Sequence, residues 1–173
     1  MVMLSVHYFS GVPVHIEENW EGIDAAVGTR QYLEDVLAAV QFVEKLHAKR
    51  GRVFDVLGHL DLVKRYALRY YGSYDVSPFA DLIDDILRTC IAADLTPEIN
   101  TSSLRQGLSE TMPNSATICR YAELGGKAIS FGSDSHRADD IAAGFDIATT
   151  MLRAPGLQGL AVFKNRLRTI EPA

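Results

Sequence analysis

The sequence predicts an α/β fold in which parallel strands alternate with helices. Short apolar runs rich in β-branched and aromatic residues recur along the chain, as buried strands require. The segments between several of these runs repeat apolar residues at helical spacing. The 173 residues, 47% hydrophobic and 23% charged, are typical of one globular domain. Because strands that alternate with helices pair in parallel, residues 1–173 are interpreted as a single α/β domain.

The predicted strands are short apolar runs that end in polar or turn residues. The first, "MLSVHYF", begins almost at residue 1, and a loop containing the single Trp follows it over Ser10–Gly28. The second is "RVFDVLGHLD", followed by a polar and aromatic segment. The remaining three are "LTPEINTS", "KAISFGSDS" and "LAVFKNRLRTI", so that the predicted strands cover residues 3–9, 52–61, 95–102, 127–135 and 160–170.

The predicted helices carry one apolar face each. The first spans Thr29–Lys49 and has a basic end before Gly51, as the helix dipole favours. Asn114 is a suitable N-cap for the third, which Gly125 would terminate. The full set covers residues 29–49, 79–90, 115–124 and 139–152.

Composition excludes several classes of function. A net charge of −5 argues against general binding to nucleic acid. No apolar run is long enough to span a bilayer, and residues 1–9 lack the features of a secretory signal. Cys90 and Cys119 lie within apolar helical patterns, so reduced thiols and a cytoplasmic location are expected. Neither a P-loop nor a G-x-S-x-G nucleophile motif is present.

Polar residues gather where the predicted strands end, which is where α/β folds commonly place functional groups. They are His7, His59, Asp61, Glu98, Asn100, Ser102, Asp134 and His136. Residues two apart on a strand face the same side, so His59 would lie beside Asp61, and Asp134 beside His136. Imidazole and carboxylate groups are ligands for zinc, iron or manganese. Two other interpretations stay open, namely structural histidines and a phosphate-binding turn at "FGSDS", while His47 is expected to be solvated near a helix end.

Four segments together resemble the histidinol-phosphatases of the PHP (polymerase and histidinol phosphatase) superfamily. They are "SVHYFSGVPV", "FDVLGHLDLVKRY", "PEINTSSLR" and "ISFGSDSHRADDIAAGFDIA", and the resemblance covers most of the chain. It implies a distorted (β/α)7 barrel with a cluster of divalent metal ions, Zn, Mn or Fe and up to three in number, at the strand C-termini.

The resemblance also implies roles for individual residues. His7, His59, Asp134 and His136 match metal ligands of the family. Arg105 matches a phosphate-binding arginine, and Arg65 is a second candidate with Lys64 as its alternative. From the residues alone, solvated surface charge is the favoured interpretation of both arginines. Glu98 would support the site, contact a substrate amine or make a structural hydrogen bond.

Two elements of the family pattern have no counterpart in the sequence. An opening H-x-H strand, and a glutamate that bridges two metals before the "SVH" strand, are both missing. We therefore expect the chain to correspond to the C-terminal portion of a PHP domain, truncated at its N-terminus, with reduced metal occupancy. Missing strands would leave the edge of "MLSVHYF" open, so self-association into a homo-oligomer through that edge is expected.

The function implied is hydrolysis of L-histidinol phosphate to L-histidinol and phosphate in histidine biosynthesis. The partner would be this small phosphorylated substrate, with no nucleic acid and no membrane. Two alternatives remain: a PHP phosphoesterase acting on another small phosphate or a nucleotide, and a non-catalytic, self-associating remnant.

Overall fold

The structure, a computed structural model, describes residues 1–172 and alternates strands with helices along most of that length. The strands are β1 Met3–Leu4, β2 Tyr8–Phe9, β3 Val12–Pro13, β4 Val56–Leu57, β5 Thr96–Asn100, β6 Ala128–Gly132, β7 Gly159–Lys164 and β8 Leu167–Pro172. The helices are α1 Ala25–Arg50, α2 Val63–Tyr71, α3 Ala80–Ala92, α4 Ser102–Arg105, α5 Ser115–Glu123 and α6 Phe145–Met151. Single 3₁₀ turns occur at Glu17–Trp20, Ser77–Phe79 and Ala138–Asp140.

One six-stranded sheet organises the fold, in the order β1-β4-β5-β6-β7-β8. The first five strands of this order are parallel, and β8 turns back antiparallel to β7. The prediction of an α/β fold with mostly parallel strands is therefore confirmed. The carboxyl ends of β1, β4, β5 and β6 consequently lie side by side at one edge of the sheet, which positions the candidate site.

The hydrophobic core lies where the helices pack on the sheet. Helix α1 buries Tyr32, Leu33, Val36 and Val40, and α3 buries Ile86 and Leu87. Tyr32 also donates a hydrogen bond from its hydroxyl to the Val6 carbonyl at 3.1 Å. This contact fixes the segment immediately before His7 to the core. No helix within residues 1–172 has the length and apolarity needed to span a bilayer.

Helix bounds differ from the predictions where local capping or turn chemistry decides. Helix α1 begins at Ala25, four residues earlier than predicted, because Asp24 Oδ1 accepts a hydrogen bond from Ala26 N at 2.8 Å. Helix α5 begins after Asn114 as predicted, and Asn114 Oδ1 accepts from Thr117 N at 3.0 Å. The prediction for residues 139–152 is too long, since a 3₁₀ turn and a left-handed Gly144 precede α6.

One helix was not predicted and one further element prediction is wrong. The polar and aromatic segment after "GHLD", to which the sequence gave no assignment, folds as α2. The last predicted strand is a hairpin, because Asn165 and Arg166 have φ of 50° and 68° and reverse the chain between β7 and β8.

His47 was expected to be solvated near its helix end, but it is half-buried and hydrogen-bonded through both ring nitrogens. Its Nδ1 lies 2.8 Å from the Ala93 carbonyl, and its Nε2 accepts from Phe54 N at 3.0 Å. The two contacts join α1 to the loops before β4 and β5. The cysteines agree with the prediction, since Cys90 and Cys119 are both free thiols.

Candidate metal centre and phosphate site

A cavity of about 370 Å³ lies at the carboxyl ends of β1, β4, β5 and β6. Five of the residues predicted to be functional line it, namely His7, His59, Glu98, Asn100 and Asp134, together with Met1, Met3, Ser5, Phe131 and Gly132. Four separate segments of sequence thus meet in one place, as the convergence of parallel strand ends requires. A cavity of similar volume between α3 and α5 holds none of the predicted residues, and its Arg120 and Asp84 already pair with each other.

Glycines allow the strand ends to approach one another. A Cβ at Gly58 would lie 2.8 Å from the Met3 sulfur and 3.0 Å from the Ser5 hydroxyl, so a larger residue there would displace these side chains of the β1 segment. A Cβ at Gly132 would overlap the Glu98 carboxylate. The two glycines therefore leave room for the Met3 and Ser5 side chains at Gly58 and for the Glu98 carboxylate at Gly132.

His7 and His59 face each other across the cavity, with ring centroids 5.0 Å apart. His59 is 6% exposed, and its Nδ1 is buried without a hydrogen-bond partner among residues 1–172. Burial, with the neighbouring His7 adding to it, lowers the pKa of His59 to about 4. Burial also lowers the pKa of His7, against the attraction of Asp134. Both rings are therefore neutral near pH 7 and can offer lone pairs to a metal.

Glu98 lies beneath these histidines on β5 and is 3% exposed. Its Oε2 accepts hydrogen bonds from His59 N at 3.0 Å and from Asn100 Nδ2 at 3.1 Å. Burial raises the pKa of the Glu98 carboxyl, and the nearby Asp134 raises it further. Of the roles considered from sequence, these contacts support that of a buried group which holds the His59 backbone in place.

Asp134 follows β6 and forms the side of the cavity nearest to Arg65. Its Oδ2 lies 3.3 Å from Arg65 Nη2, which reaches the site from α2. Arg105 lies on the other side of the same loop, where its Nη2 donates to the Ser133 carbonyl at 2.8 Å and its Nε lies 3.3 Å from Asp140 Oδ1. Two guanidinium groups thus flank the loop that carries Asp134.

Besides Arg65, Arg105 and Ser102, three further predicted residues lie outside the cavity lining. His136 is exposed, and its Nδ1 lies 3.0 Å from the Asp134 carbonyl oxygen. Lys64 is fully buried, with its ammonium 2.8 Å from Asp61 Oδ2 and 2.6 Å from Glu110 Oε1. Asp61 therefore pairs with Lys64 rather than with His59. These contacts favour Arg65 over Lys64 as the second phosphate ligand.

The residues suit a divalent metal only in part. Two neutral imidazoles, one with an orphaned buried nitrogen, fit a borderline ion such as Zn²⁺. Within residues 1–172, however, no three His, Cys, Asp or Glu side chains lie close enough together to enclose an ion. The histidines are therefore suitable ligands of an incomplete coordination sphere.

Proteins of similar sequence are histidinol-phosphatases by name. A protein of Clostridium acetobutylicum named probable histidinol-phosphatase is 29% identical over 96% of this chain, and the match covers 61% of that protein. The histidinol-phosphatase of Lactococcus lactis is 30% identical over 79% of this chain and 47% of its own length. The chain therefore spans about half to two thirds of these relatives. No protein-family model matches the chain.

Solved structures share the fold. A crystal structure of the Lactococcus lactis histidinol phosphate phosphatase, in complex with zinc, L-histidinol and phosphate, superimposes with a TM-score of 0.77 at 26% identity. The superposition covers 97% of this chain and 61% of that one. A Listeria monocytogenes structure, with a TM-score of 0.66 at 21% identity, supports the fold alone. The predicted resemblance to histidinol-phosphatases is thereby confirmed.

Proposed function

We propose that this chain, which is homologous to histidinol-phosphatases over most of its length, forms the phosphate-binding side of a metal-dependent phosphomonoesterase that hydrolyses L-histidinol phosphate. The observation that carries the proposal is the cavity in which His7, His59 and Asp134 meet, with Arg65 at its side. The Lactococcus relative, whose crystal structure contains zinc, L-histidinol and phosphate, supports the same ligands here. We place the activity in the cytoplasm and in histidine biosynthesis, as the sequence predicted.

Each residue has a role in this proposal. His7 and His59 would hold a metal through neutral imidazoles, and Asp134 would add a carboxylate oxygen. His136 would join them only if its loop turned the ring towards the cavity. A bound divalent metal supplies Lewis acidity and activates water for attack on phosphorus. Glu98 keeps the His59 backbone in place through its hydrogen bond from His59 N.

The arginines would bind the phosphoryl group. Guanidinium groups match phosphate oxygens in geometry and charge, so Arg65 and Arg105 would neutralise charge on the equatorial oxygens. Arg65 already lies against Asp134 and would bind an incoming phosphate from that position. Arg105 is held by Ser133 and Asp140 and would reorient to reach the ligand.

A second candidate, the non-catalytic self-associating protein, is favoured by the incomplete metal site. Because residues 1–172 do not enclose an ion, we infer low metal occupancy and weak turnover by this chain alone. Strand β1 has only two residues and pairs with β4 on one side. Association of a second copy along its other edge would make the homo-oligomer expected from sequence.

Calorimetry and phosphate release test the proposal together. The chain is titrated with Zn²⁺ or Mn²⁺ and then supplied with L-histidinol phosphate, para-nitrophenyl phosphate and a nucleoside monophosphate. We expect His59→Ala to weaken zinc binding by about tenfold or more and to abolish any phosphate release. His15→Ala, an exposed histidine outside the cavity lining, is the matched control.

The results of these two assays distinguish the candidate functions. Faster release from histidinol phosphate than from the other esters supports the phosphatase. Preference for another ester would favour a different phosphoesterase. Zinc binding unaffected by His59→Ala would refute the metal site, and binding without turnover would favour the non-catalytic candidate.

A further inference from the structure

We propose that Ser102, backed by Asn100, is a positioning residue that fixes the guanidinium group of Arg65 beside Asp134. Ser102 would then influence phosphate binding through Arg65, a role that rests on the phosphatase function proposed above. Neither Ser102 nor Asn100 bonds a ligand in this assignment. Their effect is to fix the position of the Arg65 guanidinium before phosphate binds.

The shortest contacts of this cluster favour one arrangement of its hydrogen atoms. Asn100 Nδ2 donates to Glu98 Oε2 at 3.1 Å, which fixes the amide and leaves its Oδ1 as the acceptor. Ser102 donates to that Oδ1 twice, from its backbone N at 3.0 Å and from its hydroxyl at 2.6 Å. The hydroxyl has then used its only proton.

The Ser102 oxygen is consequently left to accept, and it accepts from Arg65 Nη2 at 2.6 Å. The same Nη2 lies 3.3 Å from Asp134 Oδ2. Ser102 Oγ and Asp134 Oδ2 are 3.4 Å apart, and the guanidinium bridges these two acceptors. One nitrogen of the Arg65 guanidinium is thus bound by the Ser102 hydroxyl, and the hydrogen bond to Asn100 sets the orientation of that hydroxyl.

Burial makes this arrangement rigid. Ser102 is 0% exposed and Asn100 is 1% exposed, at the junction of β5 and α4. Arg65 comes from a different element, α2, and has several rotatable bonds. Ordering such a side chain in advance lowers the entropic cost of binding an anion. The buried hydroxyl therefore prepares Arg65 for phosphate.

Ser103 provides a matched control for a purely structural role. It is also 0% exposed, and its hydroxyl donates to the Glu110 carbonyl at 2.7 Å. It makes no hydrogen bond to Arg65 within residues 1–172. Removing the Ser103 hydroxyl costs one buried hydrogen bond and removing the Ser102 hydroxyl costs two, but only the loss at Ser102 should reach the phosphate site.

A double-mutant cycle measures this connection. The zinc-loaded chain and its Ser102→Ala, Arg65→Ala, double and Ser103→Ala variants are titrated with inorganic phosphate by calorimetry. We expect Ser102→Ala to weaken phosphate binding about tenfold, because a hydrogen bond to a charged group is lost. The double variant should bind no more weakly than Arg65→Ala, and Ser103→Ala should bind as the parent does.

The side-chain ¹⁵N spectrum of Arg65, without zinc or phosphate, is the independent measurement. In the parent the Nη signals should be resolved by slow rotation, and in Ser102→Ala they should average. Additive losses in the cycle, or a spectrum unchanged by Ser102→Ala, would overturn the positioning role. If phosphate does not bind but the spectrum depends on Ser102, the phosphatase proposal fails while the positioning role stands.

Discussion

Replacing Lys64 with Met should strongly destabilise the protein, and more so at high pH. Lys64 is fully buried, and its ammonium lies 2.8 Å from Asp61 Oδ2, itself a buried side chain. Its other partners are Glu110 Oε1 at 2.6 Å and the Thr111 carbonyl at 3.1 Å. Methionine fills much of the volume but leaves Asp61 as a buried charge without its cation.

The size of the effect follows from the geometry. At 2.8 Å and an effective dielectric constant of ~20, the attraction between Lys64 and Asp61 is about 6 kcal/mol. Burial already raises the pKa of Asp61 against the effect of Lys64, and removal of Lys64 raises it further. The variant will therefore bind a proton at Asp61 on folding, which limits the loss to about 3–5 kcal/mol near neutral pH.

The sign of the pH dependence follows from that proton. A buried carboxyl whose pKa is raised in the folded state destabilises the protein least below the pKa that it has when unfolded. It destabilises the protein increasingly as the pH rises towards its folded-state pKa. The difference in unfolding free energy between parent and variant should therefore grow between pH 5 and pH 8, by up to about 1.4 kcal/mol per pH unit.

Urea denaturation at several pH values tests this expectation. Asp61→Asn combined with Lys64→Met should recover part of the loss and remove the pH slope, because no buried charge is left. Arg30→Met is the control, since the Arg30 and Glu34 side chains are both more than half exposed. A difference that is small, or constant from pH 5 to pH 8, would refute the reasoning.

Two further predictions concern the backbone. Gly132→Ala should lower the free energy of unfolding by about 1–3 kcal/mol, because the added methyl overlaps the Glu98 carboxylate; an unchanged urea midpoint would contradict that packing. Asn165→Val should cost roughly 1–2 kcal/mol by thermal denaturation, because residue 165 has φ of 50° in the hairpin turn. Asn165→Gly is its control and should cost nothing, and equal losses in both variants would place the cause elsewhere.

Much of the fold could be predicted because the spacing of hydrophobic residues indicates where strands and helices form. The strand at "LTPEINTS" and the helix after Asn114 have clear signals, and both form close to their predicted bounds. Helix α2 was missed because its tyrosines interrupt the pattern, while its face is defined by buried Val63, Lys64 and Ala67. A lysine that is buried by tertiary ion pairs cannot be recognised from spacing.

The candidate site could be predicted as a set of residues but not as a geometry. Motifs identified His7, His59 and Asp134, which line one cavity. The i and i+2 argument assumed that the strands continue through the motifs, but β4 ends at Leu57 and β6 ends at Gly132. The roles proposed for the site residues stay predictions.

The direction of those side chains depends instead on two backbone turns. His59 and Asp134 have φ of 24° and 46°, conformations that cost non-glycine residues on the order of 1–3 kcal/mol each. Glycine would occupy both positions without that cost. The side chains proposed as metal ligands are therefore held at these two positions at a cost in backbone conformation. The protein's conformational stability and its capacity to bind metal are in conflict at two residues, and variants selected for heat resistance should be expected to lose this site first.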